Sequence, residues 1–282
     1  MNLIIEAGGT KSNLAFVEKG QIMVSYTEPG LQFSRESLED LEKKIVRWNS
    51  FHAGPIQRIY LFAAGIGKGK KVEGVKKILE KIFHTDQVFL HSDLLAACYA
   101  TAGNQPGIIG ILGTGSNSCY YNGSDIILHV PPGGFILGDE GSGAYLGKQL
   151  LIDYLRSDMP VDVKQQLEQE KTLSAELVIQ QVYGGSTKDA ANFCSGFAPF
   201  IINRLEDAYC YQLCKKAMSV YIDLVEKNYG QHSNQLYLVG SIAFYLQDIL
   251  KAEARLKHIE IVKLIQHPAQ DLSLFLSARD QL

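Results

Sequence analysis

The chain begins with a compact apolar run, residues 3–7, of the length and kind expected for a buried strand. The turn Gly8-Gly9 follows, and alternation resumes over 13–17 and 21–26, predicting two more strands joined by a hairpin turn at Lys19-Gly20. The period then changes. Leu38, Leu41, Ile45 and Trp48 recur at helical spacing behind a capping-box pattern of Ser37 and Asp40. A strand over 59–64 precedes the glycine-rich loop AGIGKGK, whose Lys68 and Lys70, with Lys71 beyond it, read as solvated. Val72, Val75, Leu79 and Ile82 mark a second helix, 88–90 a short strand, and LLAACYAT from Leu94 a third helix.

After the Gly-Asn-Gln-Pro-Gly stretch at 103–107, the natural place for a boundary, the order restarts. GIIGIL, GTGSNS, CYYNG and DIILHV repeat strand, turn, strand, strand. Helical patterns dominate 142–228. A late strand over 236–239 ends in Gly240-Ser241 before a helix, a final strand covers 259–264, and the tail after Pro268 is helical. The pattern predicts an α/β fold whose second half begins as its first half does. Its domains are 1–105 and 106–268, with a terminal helix, about 269–282, returning to the first.

Both restarts contain the same kind of turn, in IIEAGGTKSNLAF and ILGTGSNSCYY. Glycine permits a sharp turn with positive φ, and such turns expose consecutive N–H groups that bind phosphate oxygens. Thr10, Ser12, Thr114 and Ser116 add hydroxyls. One such turn is equally well a plain β-hairpin. Two in equivalent halves suit a polyphosphate gripped between two related domains. Neither G-x-x-x-x-G-K-[ST] nor a helix-opening G-x-G-x-x-G occurs.

Four acids at three sites have two readings each. Asp93, before an apolar helix, serves as an N-cap or as a base beside an attacking hydroxyl. Asp139 and Glu140 complement a helix dipole or, flanked by Gly138 and Gly141, form a loop that approaches a ligand closely. A carboxylate there suits neighbouring hydroxyls. Glu6 ends a buried strand, where a metal's water shell or a salt bridge to Lys11 would offset its burial.

Composition narrows the partners. The formal charge is -3 without a long basic run, which gives no support to nucleic acid or an anionic membrane as partner. The opening MNLIIEAGG is no signal peptide, and its apolar run is too short to span a bilayer; the expectation is a cytoplasmic protein. Its five cysteines are then reduced. Cys210 and Cys214 share a helical face but lack two further metal ligands nearby, so they read as buried side chains. Phe193, Phe197, Phe200, Tyr209 and Tyr211 read as packing of the larger domain, with an adenine pocket as the alternative.

EAGGTKSN at 6–13, HSD at 91–93, GILGTGSNS at 110–118, GDEGSGAYLG at 138–147 and LVGSI at 238–242 run nearly the length of the chain. With these motifs it resembles the sugar kinase, heat-shock ATPase and actin superfamily. Within that superfamily it is similar to the N-acetylglucosamine kinase branch grouped with the BadF/BadG/BcrA/BcrD ATPases. The resemblance implies two related ribonuclease H-like (actin-like ATPase) domains with a nucleotide and sugar cleft between them. It implies ATP and Mg²⁺ as cofactors, an amino sugar as substrate and a homodimer. The activity implied is phosphorylation of N-acetylglucosamine or glucosamine at O6.

By the same resemblance, Glu6 holds Mg²⁺ through water. Gly8, Gly9, Thr10 and Lys11 form the first phosphate turn, and Gly113, Thr114, Gly115 and Ser116 the second. Gly240 and Ser241 cover the adenosine. Asp93 is the catalytic base and touches the sugar, as do Asn117 and Asp139. Gln32 stands where an Asn is usual, and Gly133, beside Gly134, where an aromatic is usual; both bear on sugar choice. An alternative is an ATPase activating a partner of the 2-hydroxyacyl-CoA dehydratase kind. Cys119 favours it, and the missing second cysteine and the GDEGSG motif oppose it. A non-catalytic sugar sensor is opposed by Glu6, Asp93 and both turns.

Overall fold

The N-terminal apolar run forms β1 (Asn2–Ala7), with Leu3 and Ile5 fully shielded from solvent. The structure, a computed structural model, describes residues 1–8, 11–31, 33, 36–52, 54–63, 66 and 69–279. Gly9, Thr10, Gln32 and most of the 64–68 loop, Lys68 included, lie outside the described residues.

The hairpin continues as β2 (Lys11–Glu18) and β3 (Gln21–Pro29), turning at Lys19-Gly20. β4 (Arg58–Ala63) and β5 (Val88–Ser92) complete a five-stranded sheet of order β3-β2-β1-β4-β5. β1 runs antiparallel to β2 and parallel to β4. The helices here are α1 (Leu38–Trp48), α2 (Lys70–Phe83) and α3 (Asp93–Thr101). α1 buries Leu41, Ile45 and Trp48, the positions its period singled out, and Ser37 caps it by accepting the Asp40 N–H. These side chains join Leu3, Ile5, Phe16 and Leu61 in one core.

The second half repeats the plan. β6 (Gly107–Leu112), β7 (Ser116–Tyr121), β8 (Ile126–Leu128), β9 (Gln235–Val239) and β10 (Glu260–Ile265) form a sheet of order β10-β9-β6-β7-β8. Again the central strand has an antiparallel hairpin on one side and a parallel strand on the other. Of DIILHV only the three residues of β8 pair in the sheet.

Between β8 and β9 come α4 (Gly134–Leu137), α5 (Gly143–Arg156), α6 (Val161–Glu170), α7 (Ala175–Tyr183), α8 (Thr187–Ser195), α9 (Ala198–Ile202) and α10 (Ala208–Tyr229). α11 (Ser241–Tyr245) and α12 (Gln247–Leu256) separate β9 from β10, and α13 (Ala269–Arg279) closes the chain.

Two compact units result: Met1–Gly103 with Pro268–Leu282, and Asn104–His267. α13 belongs to the first. Ser273 Oγ donates to the Gly20 carbonyl at 3.2 Å, and Phe275 stacks on Tyr99 at 4.7 Å. Cys210 and Cys214 are fully buried in the second unit's core, where burial pushes both thiols up to about 12. Phe193, Phe197, Phe200 and Tyr209 pack in or against that core, whereas Tyr211 is 39% exposed. No described helix is long and apolar enough to cross a membrane.

Candidate active site

In the first unit, the Gly8 N–H donates to the Lys11 carbonyl at 2.9 Å and closes the turn after β1. A Cβ on Gly8 would stand 2.9 Å from that same oxygen, so close approach, not positive φ, requires glycine there. Glu6, two residues earlier, has an Oε1 that is buried and without a hydrogen-bond partner among the described residues. Burial pushes its carboxyl up to about 7, and the nearby Lys11 charge opposes the shift. No ion pair with Lys11 forms, so the salt-bridge reading of Glu6 fails. The Ser12 hydroxyl is likewise buried and unpartnered among the described residues.

Asp93 is the first residue of α3, not its cap. Ser92 takes the capping role and accepts the Leu95 N–H at 3.2 Å. Asp93 Oδ1 accepts the N–H of Leu94 at 2.9 Å, which holds the carboxylate at the end of β5. Beside it, burial holds the His91 imidazole below its ordinary value, and the Arg279 charge adds to that shift.

The turn in the second unit is held by backbone bonds within itself and to α5. Gly113 N–H donates to the Gly115 carbonyl at 3.0 Å. The carbonyls of Gly113 and Thr114 accept from Gly143 and Ala144, at 2.8 and 3.0 Å. These donors are the opening N–H groups of α5, which an isolated helix leaves unsatisfied. The N–H groups of Thr114 and Gly115 donate to no described group, so the turn presents consecutive donors. Gly113 and Gly115 both have ordinary φ, contrary to the expectation of positive φ here. Gly115 instead sits close to Asp139: a Cβ there would meet both carboxylate oxygens at 3.1–3.2 Å, tighter than ordinary contact.

Asp139 adopts φ +57° between Gly138 and Gly141. A Cβ on Gly138 would overlap the Pro132 carbonyl at 1.8 Å, so the two sides of this loop touch backbone to backbone. Asp139 Oδ1 accepts the Ser116 N–H at 3.3 Å. Burial raises its carboxyl, the Ser116 bond lowers it, Glu140 raises it and Lys148 lowers it. Ser142 caps α5, whose own first turn holds no acid, and Asp139 turns toward the β6–β7 turn.

Asn117 on β7 accepts at Oδ1 from the Ser118 N–H and from His129 Nε2, both at 2.9 Å. With the oxygen engaged twice, the amide NH₂ is left as the group to meet a ligand. The buried Tyr229 hydroxyl donates to the Ser118 carbonyl at 2.9 Å and accepts the Val130 N–H at 3.1 Å. That ties β7 to the segment leading into Gly133 and Gly134, which take φ +78° and +69° at the start of α4.

Gly240 has φ +123°, and a Cβ there would lie 2.2 Å from the Leu112 carbonyl. It brings Ser241 beside the second turn. Gly113, Thr114 and Ser241 line a cavity of about 420 Å³ together with Gly143, Ile242 and Tyr245. The far wall is Ser195, Ala198, Pro199, Ile202 and Asn203. Sequence reasoning missed this wall, since these residues lie in short helices with no motif. The aromatic run expected as an alternative lining is absent from it, and small and aliphatic side chains take its place. Among the described residues, no cluster of three or more His, Cys, Asp or Glu could hold a metal ion unaided.

No protein-family model matches the chain, and no curated protein matches it. Solved structures do. A candidate N-acetylglucosamine kinase from Porphyromonas gingivalis is 27% identical with a TM-score of 0.89, over 99% of this chain and 100% of that one. A candidate N-acetylglucosamine kinase from Chromobacterium violaceum is 18% identical with a TM-score of 0.63, over 98% and 99%. A ROK-family glucokinase from Streptomyces griseus, in complex with glucose and AMPPNP, is 14% identical with a TM-score of 0.59, over 99% and 98%. The fold is the two-domain α/β architecture of sugar kinases and actin-like ATPases.

Proposed function

We propose that the protein is an ATP-dependent kinase that phosphorylates an amino sugar, N-acetylglucosamine or glucosamine, at O6. The observation that carries this reading is the second turn, which leaves the N–H groups of Thr114 and Gly115 open and, through Gly113 and Thr114, lines a cavity large enough for a nucleoside. The similarity to the Porphyromonas gingivalis protein along the whole chain supports it.

In this proposal the nucleoside takes the cavity beside Ser241 and Tyr245. Phosphate oxygens take the N–H groups of Thr114 and Gly115, and the first turn, Gly8 to Lys11, is a phosphate-binding turn by the family resemblance. The orphaned Glu6 Oε1 fits a Mg²⁺ held through water, because Mg²⁺ commonly binds one or two carboxylates plus substrate phosphates. When bound, the ion would neutralise charge on the phosphates. Asp93 accepts the proton of the attacking hydroxyl as its oxygen bonds to the γ-phosphorus and the bond to ADP breaks. The Asn117 NH₂ and the Asp139 carboxylate bind the sugar, with Gly133 and Gly134 leaving room for it.

The partner-activating ATPase is the weaker reading, since Cys119 is fully buried. The deciding experiment measures ADP release from MgATP with N-acetylglucosamine, glucosamine, N-acetylmannosamine, glucose or no sugar. Release that requires an amino sugar is expected. Asp93→Asn should lower it by about 10²–10⁴-fold while ATP still binds. Equal release with and without every sugar would sink the kinase reading.

A further inference from the structure

The second unit has another cavity, of about 490 Å³, that the proposed reaction does not use. Phe135 and Ile136 of α4 form one side, Leu151 of α5 the floor, and Ile179 and Val182 of α7 the other side. Its rim is apolar and open: Ile136 is 66% and Tyr183 78% exposed. An exposed apolar surface of this kind marks a binding site more often than chance does.

Lys148 is the one charged residue on its lining. The ammonium donates to the Phe135 carbonyl at 3.1 Å and lies 5.1 and 5.7 Å from the ring centres of Phe135 and Tyr145. Among the described residues no carboxylate lies within ion-pair distance of it, although its charge reaches the Asp139 carboxylate at longer range. An ammonium has three donors, so a positive charge in an apolar pocket retains capacity for an anion.

We propose that this cavity binds a small amphiphilic anion, an aliphatic or aryl body with a carboxylate head on Lys148. The site also reaches the loop that carries Asp139. Lys148 grips α4 at Phe135, and α4 lies between Gly133 and Gly138, with Asp139 next. An occupant therefore buttresses the 133–139 segment. The binding itself does not rest on the kinase reading.

Calorimetric titration of the full chain with decanoate tests it. One saturable site per chain is expected. Lys148→Met should weaken decanoate by about tenfold or more, the worth of a hydrogen bond to a charged group. Decanol, lacking the head, should bind both proteins alike. Val182→Trp, which fills the cavity, should abolish binding. Hydrogen exchange of the 134–138 amides should slow on addition of decanoate. Unsaturable binding to the wild type, or equal affinity in Lys148→Met, overturns the proposal. Should Val182→Trp fail to fold, Lys148→Met decides alone. Concentration-dependent dimerisation that Val182→Trp removes, without decanoate binding, would give the face to a second copy instead.

Discussion

The two sheets have one plan but differ at the turn in the middle of each. In the first, Glu6 pairs across the hairpin with Asn13; at the equivalent place in the second, Ile111 pairs with Asn117. The first turn thus has an acid behind it, and a single described backbone bond, Gly8 to Lys11, closes it. The second has an aliphatic residue behind it and is clamped by the start of α5 and by the Asp139 carboxylate. One template has diverged into a turn with a spare acid and a turn with spare donors. In our proposal the first serves the metal ion and the second the phosphates of the nucleotide.

The largest effect on this contrast is expected at Gly240, which only the second turn relies on. Gly240→Ala puts a Cβ against the Leu112 carbonyl at a backbone conformation reserved for glycine. It should cost about 3 kcal/mol, read as a lowered urea midpoint. Next is the acid itself. Glu6→Gln should reduce turnover by about 10²-fold and raise the Mg²⁺ requirement, whereas Ile111→Val should change stability by only about 1 kcal/mol and leave the Mg²⁺ requirement alone. Equal effects of the two on turnover would erase the distinction between the turns.

Acidity gives a third test. The folded Glu6 carboxyl is pushed up to about 7 from 4.5, so between these values the folded state holds a proton that the unfolded state has released. Stability from this residue is therefore present below about 4.5 and lost as pH rises to about 7, an effect on the order of 1–3 kcal/mol. Urea unfolding across that window without added metal should show the slope, and Glu6→Gln should flatten it. The smallest effect belongs to His129→Ala. Losing the bond to Asn117 Oδ1 loosens an amide still anchored by Ser118, and the sugar KM should rise several-fold, about 1 kcal/mol, with kcat nearly unchanged.

Much of the fold was legible because the signals were local. The apolar period of α1, the hairpin at Lys19-Gly20 and the repeated strand-turn-strand order each depend on neighbours a few residues apart. The acids were harder. Ser-Asp before a helix predicts a cap but does not say which residue provides it; the backbone chose Ser92. Asp139 looked like a helix-dipole partner by position, and only a left-handed backbone at that residue turns it toward Ser116, 23 residues earlier. His129 and Tyr229 had no motif at all, since their roles arise from hydrogen bonds to β7 across long stretches of chain.

Local pattern was enough to set two α/β halves built on the same hairpin, and the residue types at their turns. Apolar periodicity and glycine placement act over a few residues, and no later packing can disguise them. Packing chose which of those groups are spent and which are spare. It gave the carbonyls of Gly113 and Thr114 to α5 and left the neighbouring N–H groups open, and it buried Glu6 without a partner among the described residues. It also assembled a cavity wall from Ser195, Pro199 and Asn203, about eighty residues away from the turn they face. Hydrogen-bond partners and cavities are set by which distant segments meet, and that is a property of the packed chain alone.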